Sequence, residues 1–211
     1  MEPSIDPAVW KVLDAYHARI ESERPRIRRA VEEGTFDATI DEFLLPVGPE
    51  SGRLLNILAK SLKAPTILEL GTSYGYSTVW LAEAARASGG RVVTMELSEK
   101  KSAYARDMSK KAGLSDVVDF RVGDAVTMID ELSEGLDFVL VDLWKSLYEP
   151  CLAKFHPKLR SGAIVVSDNM IEPASAREAV MKYQAAIRSK PKMTSILVPV
   201  GSGLEISRYD A

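Results

Sequence analysis

Apolar and polar positions alternate along the chain in two textures. Short apolar runs predict strands at about 66–70, 91–96, 117–122, 136–141 and 162–167. Between and after them, helical patterns fall at about 76–88, 98–112, 124–133, 146–156 and 173–188. Alternating units of this length predict an α/β fold, a parallel doubly wound sheet with helices on both faces. The texture changes at the end. Met193–Pro199 and Leu204–Tyr209 are two further strand patterns joined by Val200-Gly201-Ser202-Gly203, a Gly-rich link that predicts an antiparallel hairpin.

Upstream of the first strand the pattern is helical. Val9, Trp10, Val12, Leu13, Tyr16 and Ile20 form a broad apolar stripe within a helix from Pro7 to about Glu33, and Asp6 before Pro7 suits an N-cap. Pro25 is expected to break or restart that helix. Leu44–Pro49 reads as a loop and Glu50–Leu62 as an amphipathic helix, with Pro65 ending the connection. The organisation expected is an N-terminal helical arm over residues 1–40 and one domain over 41–211. The arm would cover the active site or pair with a second subunit in a homodimer.

In open parallel sheets, ligands sit at the carboxyl ends of the strands. The first strand ends in Leu68-Glu69-Leu70-Gly71 and runs through Thr72-Ser73-Tyr74-Gly75 into a helical pattern. Glycine there permits φ > 0 and close approach of a ligand to the main chain. The spacing is neither Gly-x-Gly-x-x-Gly nor a P-loop. The second strand ends in Glu96, which lies 21 residues after Gly75. An acid in that place suits the hydroxyls of a nucleoside ribose. The plainer alternatives are a glycine turn without a ligand and a solvated strand-end charge.

The remaining strand ends gather oxygen ligands. They deliver Gly123-Asp124-Ala125, then Asp142, then Asp168-Asn169. Asp142, Asp168 and Asn169, two carboxylates and an amide oxygen, form a hard set that suits Mg²⁺ or Ca²⁺; the plainer roles are helix caps for Asp142 and Asp168 and a turn conformation for Asn169. Zinc has no ligand cluster, since His17 and His156 are far apart and Cys151 is alone. If Asp142-Leu143-Trp144-Lys145 begins a helical turn, Asp142 and Lys145 share a face, and a lysine beside a dication tends to lose its proton. A surface ion pair for Lys145 and a packed aromatic for Trp144 are the alternatives.

Composition narrows the class. A chain of 211 residues with 46% hydrophobic content fits one full core, and a net charge of −3 gives no global field for nucleic acid. Arg24-Pro25-Arg26-Ile27-Arg28-Arg29 is a local basic run, either a solvated helix face or a site for nucleic acid or another anion. A single cysteine and the default reducing setting point to the cytoplasm. Met1–Asp6 lacks the apolar core of a signal peptide, and no run approaches the ~18 apolar residues of a membrane span.

Taken jointly, Pro46-Val47-Gly48, Leu68-Glu69-Leu70-Gly71 with Gly75-Tyr76-Ser77-Thr78, Thr94-Met95-Glu96, Asp142-Leu143-Trp144-Lys145 with Tyr148, Ser167-Asp168-Asn169 and Gly201-Ser202-Gly203-Leu204 resemble the catechol O-methyltransferase-like family of S-adenosylmethionine-dependent, metal-dependent O-methyltransferases. The likeness runs from about Leu44 to the C-terminus. It implies a Rossmann-like seven-stranded sheet whose last strand is antiparallel. It implies that Val47, Glu69, Gly71 and Ser77 hold the methionine end of S-adenosylmethionine, Glu96 the ribose, and Leu97, Ala125 and Trp144 the adenine. Gly75, Asp124 and Asp142 complete the cofactor set. Asp142, Asp168 and Asn169 would ligate Mg²⁺ or another hard divalent cation, and Lys145 would be the general base. The reaction implied is methyl transfer to a hydroxyl of a catechol-like small molecule; a hydroxylated tRNA base, or a cofactor-binding protein without turnover, are the alternatives. Two positions depart from the family. Thr194-Ser195-Ile196 lacks the glutamate that binds the non-reacting hydroxyl in mammalian catechol enzymes, and Leu143 stands where a histidine often follows the first metal aspartate.

Overall fold

The computed structural model describes residues 5–211; of the opening stretch read above as lacking a signal peptide, residues 1–4 lie outside the described residues. Its centre is a seven-stranded sheet in the order β3-β2-β1-β4-β5-β7-β6. The strands are β1 (Thr66–Leu70), β2 (Arg91–Glu96), β3 (Val118–Val122), β4 (Leu136–Val141), β5 (Leu159–Ser167), β6 (Met193–Val198) and β7 (Leu204–Tyr209). β1 to β5 pair in parallel, and β7 runs antiparallel to both β5 and β6, as the Rossmann-like expectation required.

The chain winds outward from β1 to β3 and then crosses back to place β4 on the other side of β1. That reversal opens a crevice at the carboxyl ends of β1 and β4. Residues alternate across the sheet with a period of two. Ile67, Val92, Phe138, Leu140 and Val166 face one apolar cluster, and Leu68, Val93, Val139, Val141 and Val165 face the other. Helices α1 (Pro7–Glu32), α3 (Pro49–Lys60), α4 (Tyr76–Ser88) and α5 (Glu99–Lys111) supply the first cluster, and α6 (Ala125–Asp130), α7 (Tyr148–Phe155) and α8 (Arg177–Arg188) the second.

The stripe of α1 is consumed within the chain. Val9, Val12, Leu13 and Tyr16 are buried in the same cluster as the sheet. Asp6 caps the helix as expected, accepting from the Ala8 amide. Pro25 does not break it: α1 runs through to Glu32. Contacts around the proline offset the lost hydrogen bond. Buried Glu23 accepts from Arg19 and from the Leu44 amide, and Arg26 reaches Glu42 and the Phe43 ring. A short helix α2 (Phe36–Thr39) and a 3₁₀ turn at Ile40–Glu42 follow, neither legible in the sequence. The expected helix over 124–133 stops at Asp130, and that over 146–156 divides into a 3₁₀ turn at Lys145–Leu147 and α7.

The hairpin turn folds back onto the crevice rim. Met170 donates to the Gly203 carbonyl, and Ile171 and Glu172 both donate to the Ser202 carbonyl. The Val47 carbonyl and Ser51 crowd the other side of the turn, where a Cβ on Gly201 would lie 3.1 Å from Val47 O and 2.4 Å from Ser51 Oγ.

One glycine decides whether the crevice closes correctly. Gly71 has φ +100°, and a Cβ there would lie 1.9 Å from the Asp142 carbonyl oxygen. Gly89 has φ +76° with nothing within 4 Å. Gly89→Ala should therefore cost about 1–2 kcal/mol, the left-handed penalty alone. Gly71→Ala should cost on the order of 3 kcal/mol or more, because backbone must also move. Urea unfolding of the two variants checks this; equal midpoints would contradict the close approach.

Candidate active site

The loop from Gly71 to Gly75 leads from β1 into α4. It is hung on the end of β2. The Gly71 and Thr72 amides donate to the Met95 carbonyl, and the Ser73 amide donates to Glu96 Oε2 at 2.8 Å. The other oxygen of Glu96 accepts from the Ser98 amide at 2.9 Å. Two backbone donors thus fix a half-buried carboxylate at the mouth of the crevice, with lone pairs remaining for a vicinal diol.

Glu69 has a different environment. It is fully buried, and its oxygens accept from Ser77 (2.6 Å), Thr78 (2.5 Å) and Thr94 (2.6 Å). Thr94 is its register partner on β2. Glu69 therefore braces α4 and the glycine loop against the sheet. Burial pushes its carboxyl up to about 7, although the three hydroxyls pull the other way. Gly75 answers a packing demand too, since a Cβ there would lie 2.6 Å from Ala105 Cβ on α5 and 3.2 Å from Tyr16 Oη on α1.

Three more residues of the predicted cofactor set line the strand ends with contrasting exposure. Ala125 is buried, while Leu97 is 74% exposed and Trp144 is 60% exposed. Val47 is buried beside the hairpin turn. Asp124 is exposed and caps α6, accepting from the Val126 amide and the Thr127 hydroxyl.

Asp142 and Asp168 do not cap helices; the 3₁₀ turns after them begin at Lys145 and Ala174, with Trp144 and Pro173 in the cap positions and no side-chain caps. β4 and β5 are neighbours with Val141 opposite Ser167. That register sets Asp142 opposite Asp168 on strands about 4.8 Å apart. The Asp168 amide donates to the Val141 carbonyl, and the Asp142 amide to the Leu70 carbonyl. Asn169 takes a left-handed backbone, φ 57°. Its Oδ1 accepts from Lys145 Nζ at 2.9 Å. Lys145 Nζ also donates to Tyr148 Oη, and that hydroxyl donates to the Asp168 carbonyl at 3.1 Å. The helical turn expected to bring Asp142 and Lys145 together is absent. Trp144 is extended and the 3₁₀ turn starts at Lys145 itself, so Tyr148 and Asn169 place the ammonium instead.

The electrostatics of this cluster are those of a buried charge set. Burial and the facing Asp142 push the Asp168 carboxyl up, and burial raises Asp142 against the pull of Lys145. Burial lowers Lys145 despite both aspartates. Asp168 Oδ1 is buried with no hydrogen-bond partner. An orphaned carboxylate oxygen beside a second carboxylate fits a hard divalent cation, which would satisfy the one and relieve the repulsion of both. Among the described residues no three His, Cys, Asp or Glu side chains gather round a point, so such a cation would draw its third protein oxygen from Asn169. His156 packs on Tyr209, His17 contacts Tyr76, and Cys151 is buried in α7.

Sequence reasoning missed the hydroxyl cage of Glu69. The signal was present: a carboxylate inside an apolar strand needs donors, and Ser77, Thr78 and Thr94 were within reach of that strand.

The buried Glu69 makes stability depend on pH. Its folded pKa, about 7, lies above the ordinary 4.5, so the protonated form is favoured by folding. The stabilisation is full below pH 4.5 and is lost as pH rises through 7. Glu69→Gln keeps the acceptor oxygen and removes the titration. The variant should melt higher than the native protein at pH 8, and the gap should shrink at pH 5. Parallel melting curves at the two pH values would contradict the buried-acid assignment.

A family model described as O-methyltransferase matches residues 20–209. A catechol O-methyltransferase from Niastella koreensis is 35% identical over 131 residues, covering 60% of this chain and 59% of that protein. The chain thus spans less than two thirds of that relative's length in the match. Caffeoyl-CoA O-methyltransferase 1 of Eucalyptus globulus is 25% identical over 185 residues, covering 78% of this chain and 75% of that protein. The solved O-methyltransferase of Bacillus cereus, in complex with SAH, superposes with a TM-score of 0.77 at 25% identity, covering 100% of this chain and 94% of that one. A family match across most of the chain and the same overall fold agree: the chain belongs to the S-adenosylmethionine-dependent O-methyltransferase family.

Proposed function

We propose that this chain transfers the methyl group of S-adenosylmethionine to one hydroxyl of a small catechol-like molecule, with Mg²⁺ or another hard divalent cation at Asp142, Asp168 and Asn169. The observation that carries the reading is the convergence of a lysine ammonium, an amide oxygen and an orphaned carboxylate oxygen opposite a second carboxylate. Pure cofactor binding needs no such set. When bound, the cation would acidify a coordinated hydroxyl, and the cofactor would supply a methyl group on a sulfonium.

The chain's own residues do the rest. Lys145 Nζ takes the proton of the attacking hydroxyl. Its lowered pKa raises the neutral fraction near pH 7, and Tyr148 and Asn169 hold the nitrogen in one place. Glu96 holds the ribose. Gly71, Ser77 and Val47 frame the methionine end, with Glu69 bracing the loop from beneath and Gly75 and Asp124 fixing the helix starts beside it. Leu97, Ala125 and Trp144 surround the adenine, a use for two apolar side chains that otherwise face water. Fixing donor and acceptor in one crevice supplies much of the rate through positioning.

The names of the relatives support a small acceptor. The arginine run supports it too: Arg24, Arg26 and Arg29 pair with Glu21, Glu42 and Glu33, which leaves less charge for a nucleic acid. Among the described residues no helix is long and apolar enough to cross a membrane. With no carboxylate in Thr194-Ser195-Ile196 on β6, the orientation of the two hydroxyls would be left to the cation.

Release of S-adenosylhomocysteine from a panel of catechols, with monophenols as controls, tests the reading. Lys145→Ala should lower kcat by about 10²–10⁴-fold, the usual worth of a general base, with S-adenosylhomocysteine affinity retained. Equal loss of both would remove the base role. Mg²⁺ should raise both activity and melting temperature of the native protein, and Asp168→Ala should abolish both responses. Undiminished turnover in EDTA would count against the metal.

A further inference from the structure

Three residues of the cofactor loop hold positive φ: Gly71 at 100°, Ser73 at 47° and Gly75 at 90°. Such backbone persists only where its surroundings over-determine it, and Ser73 has no glycine's freedom. The sheet side of the loop is held by Met95 and Glu96. The opposite side is held by α1. Tyr16 Oη donates to the Tyr74 carbonyl at 2.6 Å. The Arg19 guanidinium lies over the Tyr74 ring, 4.1 Å from its centroid, and 5.2 Å from that of Tyr104, which meets Tyr74 edge-on.

Arg19 is itself tied to the 41–44 segment. Its Nε donates to Glu23 at 2.7 Å and its Nη2 to the Glu42 carbonyl at 3.3 Å. Glu23, buried, accepts from the Leu44 amide at 2.8 Å, and Tyr74 Oη donates to the Asp41 carbonyl at 2.8 Å. One guanidinium therefore joins the glycine loop to the 41–44 segment, which runs on into Val47. The fork of an arginine, with a stacking face and several donors, suits this joint in a way a lysine does not.

We infer that α1 is the outer jaw of the cofactor seat, and that Arg19 is a positioning residue which holds Tyr74 and the 41–44 segment in the arrangement that binds S-adenosylmethionine. The inference rests on the glycine loop being that seat. Without the guanidinium the loop samples other backbone states, and the ligand must select the competent one. Affinity falls, while the chemistry of the loaded enzyme is unchanged.

Calorimetry with S-adenosylhomocysteine tests this on the full chain. Arg19→Met should raise Kd about tenfold, with kcat at saturating cofactor within about twofold of native, and Arg19→Lys should lie between. Val9→Ala removes buried methyl groups from the far end of the same helix. It should lower the melting temperature and leave Kd unchanged. A native-like Kd in Arg19→Met, or an equal rise in Val9→Ala, would overturn the jaw. Should Arg19→Met fail to fold, Tyr16→Phe removes only the hydrogen bond to Tyr74 and should raise Kd about threefold; no rise overturns the proposal. Glu96→Ala separates the two levels. Weaker binding there with native binding in Arg19→Met refutes the jaw alone, and native binding in both refutes the seat.

Discussion

The active crevice depends on the contact between the start of the glycine loop and the end of β4. Gly71 passes so close to the Asp142 carbonyl that no side chain fits between them, and the Asp142 amide bonds to the Leu70 carbonyl just before the loop. Because β1 and β4 are the strands where the winding reverses, this is also where the sheet opens to a ligand. The contact brings two chemistries together. The loop that would hold a sulfonium donor and the strand end that would hold an activated hydroxyl become neighbours through backbone alone. Methyl transfer needs an in-line approach over a short distance, and the sheet provides that proximity before any ligand arrives.

Around that contact the protein tolerates ionisable groups out of water. Glu69 is satisfied by hydroxyls, and its cost appears as an elevated pKa. Asp142, Asp168 and Lys145 are a set whose charges partly cancel, yet Asp168 keeps an oxygen with no partner. Buried polar atoms are satisfied almost everywhere in native folds. The two sites therefore differ in kind: the first is complete within the chain, and the second leaves a carboxylate oxygen without a protein partner.

Much of this was legible in the sequence because the fold's periodicities are strong. The strand runs, the acids at their carboxyl ends and the Gly-rich link before Leu204 each follow from local pattern, and register then sets Asp142 opposite Asp168. What local pattern did not carry was context. Pro25 reads as a breaker, but contacts from Arg19, Glu23 and Arg26 outweigh its lost bond. The proximity of Asp142 and Lys145 was expected from helical spacing; it arises instead from an extended Trp144 and the anchors Tyr148 and Asn169, which lie 3 and 24 residues away from Lys145. The aromatic joint at Arg19 was invisible for the same reason, since it assembles from segments far apart in the chain.

The bonding of Met170, Ile171 and Glu172 to the turn at Ser202 and Gly203 couples two segments that are far apart in the chain. Asn169 immediately precedes the laced segment, so a substitution in the turn is felt at the amide that holds Lys145. Neither strip of rim can drift alone without disturbing its partner. New acceptors would then be acquired through paired replacements in the two strips, and lineages that diverge in one should carry a matching change in the other.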